Sequence, residues 1–203
     1  DWTAAIEEKG RPNALGDWDD DGDLDLAVGT GSDLPVRLYE NQGGSFHLVW
    51  SSPATYNNDG IAWVDWDGDG DLDLSLANGE NSANVLFENT GGQLELAWTS
   101  KEAEDSSDLS WGDWDGDGDL DLAVSNLNQT LRVYENEKGQ LISAWQSLVS
   151  DSFSSVAWVD WDNDGDLDLS AGTREDSPIQ IFESTGGELG GEPIWASQER
   201  EPS

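Results

Sequence analysis

The chain has no cysteine, one histidine and only 8 lysines and arginines among 203 residues. Without cysteine there is no disulfide framework, cysteine-ligated zinc, iron–sulfur cluster or thiol nucleophile, and the compartment stays open. The single histidine, His47, falls in an alternating strand pattern and reads as a surface residue. The basic residues are scattered at Lys9, Arg11, Arg37, Lys101, Arg132, Lys138, Arg174 and Arg200. A general base or charge stabiliser is hard to assemble from this set, so the chain is read as not an enzyme. No apolar run approaches the ~18 residues that span a bilayer, and no membrane insertion is expected. The chain opens at Asp1 without a charged-then-apolar leader, which reads as a mature soluble segment or a piece of something longer.

What is abundant is acid. Asp and Glu total 44, for a formal charge of −36. Nucleic acid and anionic membrane carry the same sign and are excluded as partners; a cation is the natural one. Acidity with few aromatics would suggest disorder, but 12 tryptophans and regularly spaced Leu, Val and Ile argue for a folded protein.

One segment recurs four times: DWDDDGDLDL from Asp17, DWDGDGDLDL from Asp65 and again from Asp113, and DWDNDGDLDL from Asp160. The starts lie 48, 48 and 47 residues apart. A fixed period in this range marks solenoids, propellers or arrays. Other features keep the same phase: Leu38-Tyr39-Glu40-Asn41, Leu86-Phe87-Glu88-Asn89, Val133-Tyr134-Glu135-Asn136 and Ile181-Phe182-Glu183-Ser184. So do the tryptophans. Trp18, Trp66, Trp114 and Trp161 lie inside the acidic segment. Trp63, Trp111 and Trp158 precede it, with Leu15 in the first copy. Trp2, Trp50, Trp98, Trp145 and Trp195 mark the unit ends. So regular an aromatic set is expected to pack between stacked units, since aromatics dominate core energetics.

Within a unit the periodicity is two, which indicates strands. In the second unit, strands are predicted over Ile61–Trp66, Leu72–Leu76, Asn84–Glu88 and Leu94–Trp98, with the acidic loop after the first and a Thr90-Gly91-Gly92 turn before the last. The predicted fold class is all-β: β-propeller blades, as four tandem four-stranded antiparallel repeats of about 48 residues. They form a single array over 1–203, with units near 2–49, 50–97, 98–144 and 145–194 and an extra terminal strand at 195–203.

In D-x-D-x-D-G-x-x-D, positions one, three and five offer carboxylates, position seven a backbone carbonyl, and position nine closes the shell from the next strand. The predicted side-chain ligands are Asp17, Asp19, Asp21 and Asp25; Asp65, Asp67, Asp69 and Asp73; Asp113, Asp115, Asp117 and Asp121; and Asp160, Asp162, Asp164 and Asp168. Backbone oxygens are expected from Asp23, Asp71, Asp119 and Asp166, while Gly22, Gly70, Gly118 and Gly165 permit the sharp turn. Oxygen-only ligands with several carboxylates select a hard cation. Calcium fits better than magnesium, which keeps its waters. About four ions, one per repeat, are expected. A metal-free acidic hairpin would repel itself by roughly 4 kcal/mol per pair of charges ~4 Å apart at an effective dielectric of 20.

An EF-hand shares this opening but needs Glu at position 12 and flanking helices. Position 12 is Val28, Leu76, Val124 and Ala171, and the flanks alternate as strands. The hairpin in units of about 48 residues, as in Asp65 to Leu74, resembles the FG-GAP/VCBS repeats of integrin-α-like propellers and of many secreted bacterial and fungal proteins. The resemblance implies a calcium-stabilised propeller whose metal loop joins the first two strands of each blade. The Phe-Gly and Gly-Ala-Pro signatures of that family are absent, so integrin-type ligand binding does not carry over.

Four units either close as a small ring, join a second copy or belong to a longer array. The units differ most in their loops: Gly29–Asp33, Asn78–Ala83, Asn126–Asn128 and Gly172–Ser177 between strands two and three, and Ser51–Asn58, Lys101–Asp108 and Val149–Ser154 between units. In a propeller these share the face opposite the metal loops, where a protein or glycan ligand would bind. Three functions compete: a non-catalytic protein-interaction or adhesion module, a carbohydrate-binding lectin and, least supported, a polysaccharide-degrading enzyme domain. Modular calcium sites of this kind generally match concentrations outside cells, so an extracellular setting, secreted or at the cell surface, is expected.

Overall fold

The computed structural model describes residues 12–30, 34–174 and 177–197. Trp2, Lys9, Arg11 and Arg200 lie outside the described residues, as do loop residues 31–33 and 175–176 and the last six residues of the predicted terminal strand. The described residues hold strands and no helix. The chain divides into two compact units, Asp1–Ser106 and Ser107–Ser203.

The first unit carries two antiparallel sheets of four strands each. The first sheet is β1 (Asn13–Gly16), β2 (Asp25–Val28), β3 (Pro35–Asn41) and β4 (Phe46–Thr55), paired in chain order. The second is β5 (Asn58–Val64), β6 (Asp73–Asn78), β7 (Ser82–Asn89) and β8 (Leu94–Glu104), also in chain order. Every residue of β6 is buried, as an inner strand covered on both faces must be. The last strands β4 and β8 expose most of their residues, among them His47 and Glu95. The core gathers Trp18, Val36, Leu38, Leu74, Leu76 and Phe87. Each such aliphatic or aromatic side chain contributes about 1.5–3 kcal/mol on burial.

The second unit holds one six-stranded sheet. Its strands are β9 (Ser106–Gly112), β10 (Asp121–Asn136), β11 (Leu141–Val159), β12 (Asp168–Thr173), β13 (Gln180–Phe182) and β14 (Trp195–Ala196). Two separate four-stranded sheets were expected over this region. The difference lies in the connections. In β10 the Asn136 amide donates to Asp121 Oδ1 at 2.8 Å, so the two ends of a 16-residue stretch meet. Fully extended they would stand ~50 Å apart, so β10 doubles back on itself. It turns where Asn126 Nδ2 donates to the Thr130 carbonyl at 2.8 Å and Asn128 takes a φ of 56°. β11 passes from β10 to β12 without a break, residues 141–152 pairing with the former and 153–159 with the latter.

Trp50, Trp98 and Trp145 sit within β4, β8 and β11, so units phased on these residues cut a strand in two. Within the predicted terminal strand at 195–203, β14 pairs with β13 and forms the edge of the sheet. The tryptophans are largely core, with Trp18, Trp66 and Trp114 buried, but Trp161 and Trp195 are 44% and 43% exposed.

Consecutive repeats within a unit meet through a repeated close approach. A Cβ on Gly16 would lie 2.6 Å from Trp63 Cδ1, and one on Gly112 would lie 2.7 Å from Trp158 Cδ1. In both units a glycine just before the acidic loop lets the backbone of one repeat rest on an indole of the next. Gly16→Ala and Gly112→Ala are each expected to lower stability by about 1–3 kcal/mol through overpacking, read as a reduced thermal midpoint.

Candidate metal centre

The acidic loops join β1 to β2, β5 to β6, β9 to β10 and β11 to β12. Position nine is the first residue of the receiving strand: Asp25, Asp73, Asp121 and Asp168, each at most 1% exposed. Burying a carboxylate demands partners. In every copy Oδ2 accepts the amide of the tryptophan at position two, from Trp18 at 3.1 Å, Trp66 at 3.1 Å, Trp114 at 2.9 Å and Trp161 at 2.9 Å. Oδ1 accepts an amide at the end of the third strand, from Asn41, Asn89, Asn136 and Ser184, each at 2.8 Å. One carboxylate therefore ties the loop's beginning to the strand that follows it.

The loop winds around position one. Asp17 accepts the amides of Asp21 and Gly22, both at 3.0 Å; Asp65 accepts those of Gly68 at 2.9 Å and Gly70 at 3.2 Å. Position six lies in the left-handed region in all four copies, with φ of 94° at Gly22 and 100° at Gly70, Gly118 and Gly165. Position four does too, which explains its choice of Asp20, Gly68, Gly116 and Asn163, residue types that tolerate positive φ.

The result is four equivalent triads. Carboxylate oxygens of Asp17, Asp19 and Asp25 lie within 4.8 Å of one another, and so do those of Asp65, Asp67 and Asp73, of Asp113, Asp115 and Asp121, and of Asp160, Asp162 and Asp168. Positions one, three and nine are thus brought together. Position five stands outside these triads: Asp21, Asp69, Asp117 and Asp164 each accept the amide of position seven through Oδ1, at 2.9 to 3.0 Å. The side chains of position seven also serve the fold in two copies, Asp119 accepting the Lys138 amide at 3.1 Å and Asp166 accepting the Gly186 amide at 2.5 Å.

Electrostatics supports a cation at the triads. Burial pushes the Asp73 carboxyl up to about 7, opposed by its two amide donors and reinforced by the negative Asp67 and Asp69. Burial likewise raises Asp121 to about 6, with Asp115 adding to it. Asp25, Asp19 and Asp115 are raised for the same first reason. Oxygen-only donors, held by backbone amides and gathered within contact of one ion, match the ligand chemistry of a hard divalent cation. Positions one, three and nine would hold it through side chains.

Two neighbours lie near these sites that the motif did not include. Glu40 adds to the negative field on Asp19, and Glu135 is raised first by burial and then by Asp115. Their signal was present as the in-phase Tyr-Glu-Asn segments, which served only to confirm the period.

The sign of the pH dependence follows. Asp73 and Asp121 have ordinary values of 3.8, raised to about 7 and about 6 in the fold. Without metal, the native state then binds more protons than the unfolded chain between these limits, so this stabilisation is full below about pH 4 and is lost as pH rises through about 7. A cation must displace those protons and gains affinity over the same interval. The rise in melting temperature on adding calcium to chelator-treated protein is therefore expected to grow from pH 5 to pH 7.5; a constant increment would contradict the assignment.

The FG-GAP-like repeat matches this chain three times, over residues 17–76, 65–124 and 113–171. No individually curated protein matches it. The matches run from one acidic loop past the next, so the family's repeat is the unit that carries the triad, and the chain belongs to the FG-GAP-like repeat family.

Proposed function

We propose that the chain is a calcium-binding, non-catalytic β-propeller module for protein interaction or adhesion outside cells. Each repeat would be one four-stranded blade, the two arms of β10 and the two halves of β11 serving as separate blade strands in the second unit. One calcium ion per repeat would neutralise the triad and lock the first two strands of the blade. Position five and the position-seven carbonyl would complete the shell. The observation that carries this reading is fourfold repetition of the same triad, each with a buried position-nine carboxylate clamped by two backbone amides. The extracellular setting rests on the affinity expected of such sites. The non-catalytic reading rests on the scarcity of bases, His47 being exposed on β4.

Isothermal titration with calcium should give about four sites per chain. Asp73→Asn and Asp121→Asn should each remove one site, and excess EDTA should lower the melting temperature substantially, because an ion bound only to the native state stabilises it by mass action. Magnesium at equal concentration should protect far less. An unchanged melt in EDTA would sink the reading.

A second reading, a carbohydrate-binding module, is favoured by one feature of the first unit. A cavity of about 340 Å³ lies at the strand ends away from the acidic loops, between the 51–58 and 78–83 segments. Thr55, Tyr56, Asn57, Ser82 and Thr99 line it beside Asn78. Asn78 donates through Nδ2 to the Ala83 carbonyl, while its buried Oδ1 has no hydrogen-bond partner. An unmet buried acceptor costs about 1–3 kcal/mol, and the side chains of Thr55, Tyr56, Asn57 and Ser82 around it are the polar groups a sugar would meet. Glycan-array binding lost in Tyr56→Ala, with the calcium sites intact, would favour this reading over protein adhesion.

A further inference from the structure

Both units join their repeats by the same contacts. In the first, Trp18 is 8% exposed, in the cluster of Phe87 and Leu94, and its carbonyl accepts Asn89 Nδ2 at 2.8 Å. In the second, Trp114 is likewise 8% exposed, clustered with Phe182 and Leu189, its Nε1 donating to Ser184 Oγ at 3.3 Å and its ring stacked on Trp158 at 6.3 Å. What covers the loop tryptophan is each time the following repeat. In the first unit the cluster takes in the third strand and the start of β8 with the Gly92 turn beside the indole; in the second it takes in β13 and the Ser184–Leu189 bridge.

Trp161, the fourth loop tryptophan, breaks this pattern. It is 44% exposed and stacks at 6.4 Å on Trp195, itself 43% exposed, beside Val159 and Ile194 at 38% and 50%. The first repeat shows the converse. Leu15 stands where the other repeats have tryptophan and is 57% exposed. Leu26 is half-buried, although its counterparts Leu74, Leu122 and Leu169 are 0%, 2% and 0% exposed.

We propose that these two surfaces are the halves of one further joint, and that the Trp161 face is covered by the first sheet of a second copy of this chain. The occupant is specified by the two joints already present, which place the face of a loop tryptophan against the entry face of the next repeat. A twofold pairing of Trp161 faces would leave Leu15 and Leu26 uncovered, whereas head-to-tail pairing covers both surfaces and is heterologous. Paired tryptophans supply the large apolar contact that dominates interface energetics. Chains at −36 repel one another, but bound calcium offsets part of that charge and at 0.15 M salt the Debye length is about 8 Å.

The test is the molar mass by light scattering and sedimentation in calcium and ~0.15 M salt, the range where screening is strong. The wild-type chain should run as a multiple of 22.0 kDa. Trp161→Ala, and Ile194→Gln outside the acidic loop, should return it to 22.0 kDa while still unfolding cooperatively, with a midpoint no lower than that of wild type diluted to monomer, as should Leu15→Asp. Leu48→Asp, at an exposed position of β4, should leave the mass unchanged. Mixing the Trp161→Ala and Leu15→Asp chains pairs one intact entry face with one intact tryptophan face and should produce a species of twice 22.0 kDa. A monomeric wild type, as expected if a chain covered its own Trp161, overturns the proposal. So does a Leu15→Asp chain that still dimerises.

Discussion

Everything in this protein depends on burying one aspartate per repeat. Asp25, Asp73, Asp121 and Asp168 are sealed at the start of an inner strand, where an isolated carboxylate would be prohibitive. Two backbone amides make the burial tolerable, one from the loop's second residue and one from the end of the third strand. That pair of hydrogen bonds also dictates geometry. It brings the loop's entry, the receiving strand and the neighbouring strand to one point, and so places the first and third carboxylates against the ninth. The acidic field thereby created is a consequence of the fold, and a cation would relieve it.

Tryptophan performs the complementary task between repeats. The residue whose amide serves the buried aspartate sends its indole the other way, into the core shared with the next repeat: Trp18 in the first unit, Trp114 in the second. Acidic loop and packing surface are thus consecutive residues. Distortion of an empty loop would be transmitted to the joint through one residue, a coupling of site and core that no separate hinge is needed to explain. The glycines at 16 and 112 belong to the same arrangement, because only a residue without Cβ lets the backbone approach the following indole.

Much of this was legible beforehand because a repeated chain is its own control. Four copies of the acidic segment fixed the period, the Gly at position six and the strand alternation around it. The predicted strands over 61–66, 72–76 and 84–88 lie within one to three residues of β5, β6 and β7. What a period cannot contain is its phase. Trp50 and Trp98 recur as regularly as the sheets do, yet β4 and β8 run on past them, because a last strand can extend beyond its neighbour without changing the repeat length. The surroundings of the carboxylates show a similar limit. Spacing alone treats positions five and nine alike, but a local turn engages the former and two distant amides hold the latter.

The sequence by itself determined the all-β character, the four acidic loops and the oxygen-only donor set they offer, since alternation, glycine placement and carboxylate chemistry are local properties of a chain. Only the tertiary structure decided which carboxylates meet, how strongly burial perturbs them, and which tryptophans are covered. Those depend on residues far apart in sequence, such as Trp18 beneath Asn89 or Trp114 against Ser184, and a pattern repeated four times cannot reveal that its last copy, Trp161, stands exposed.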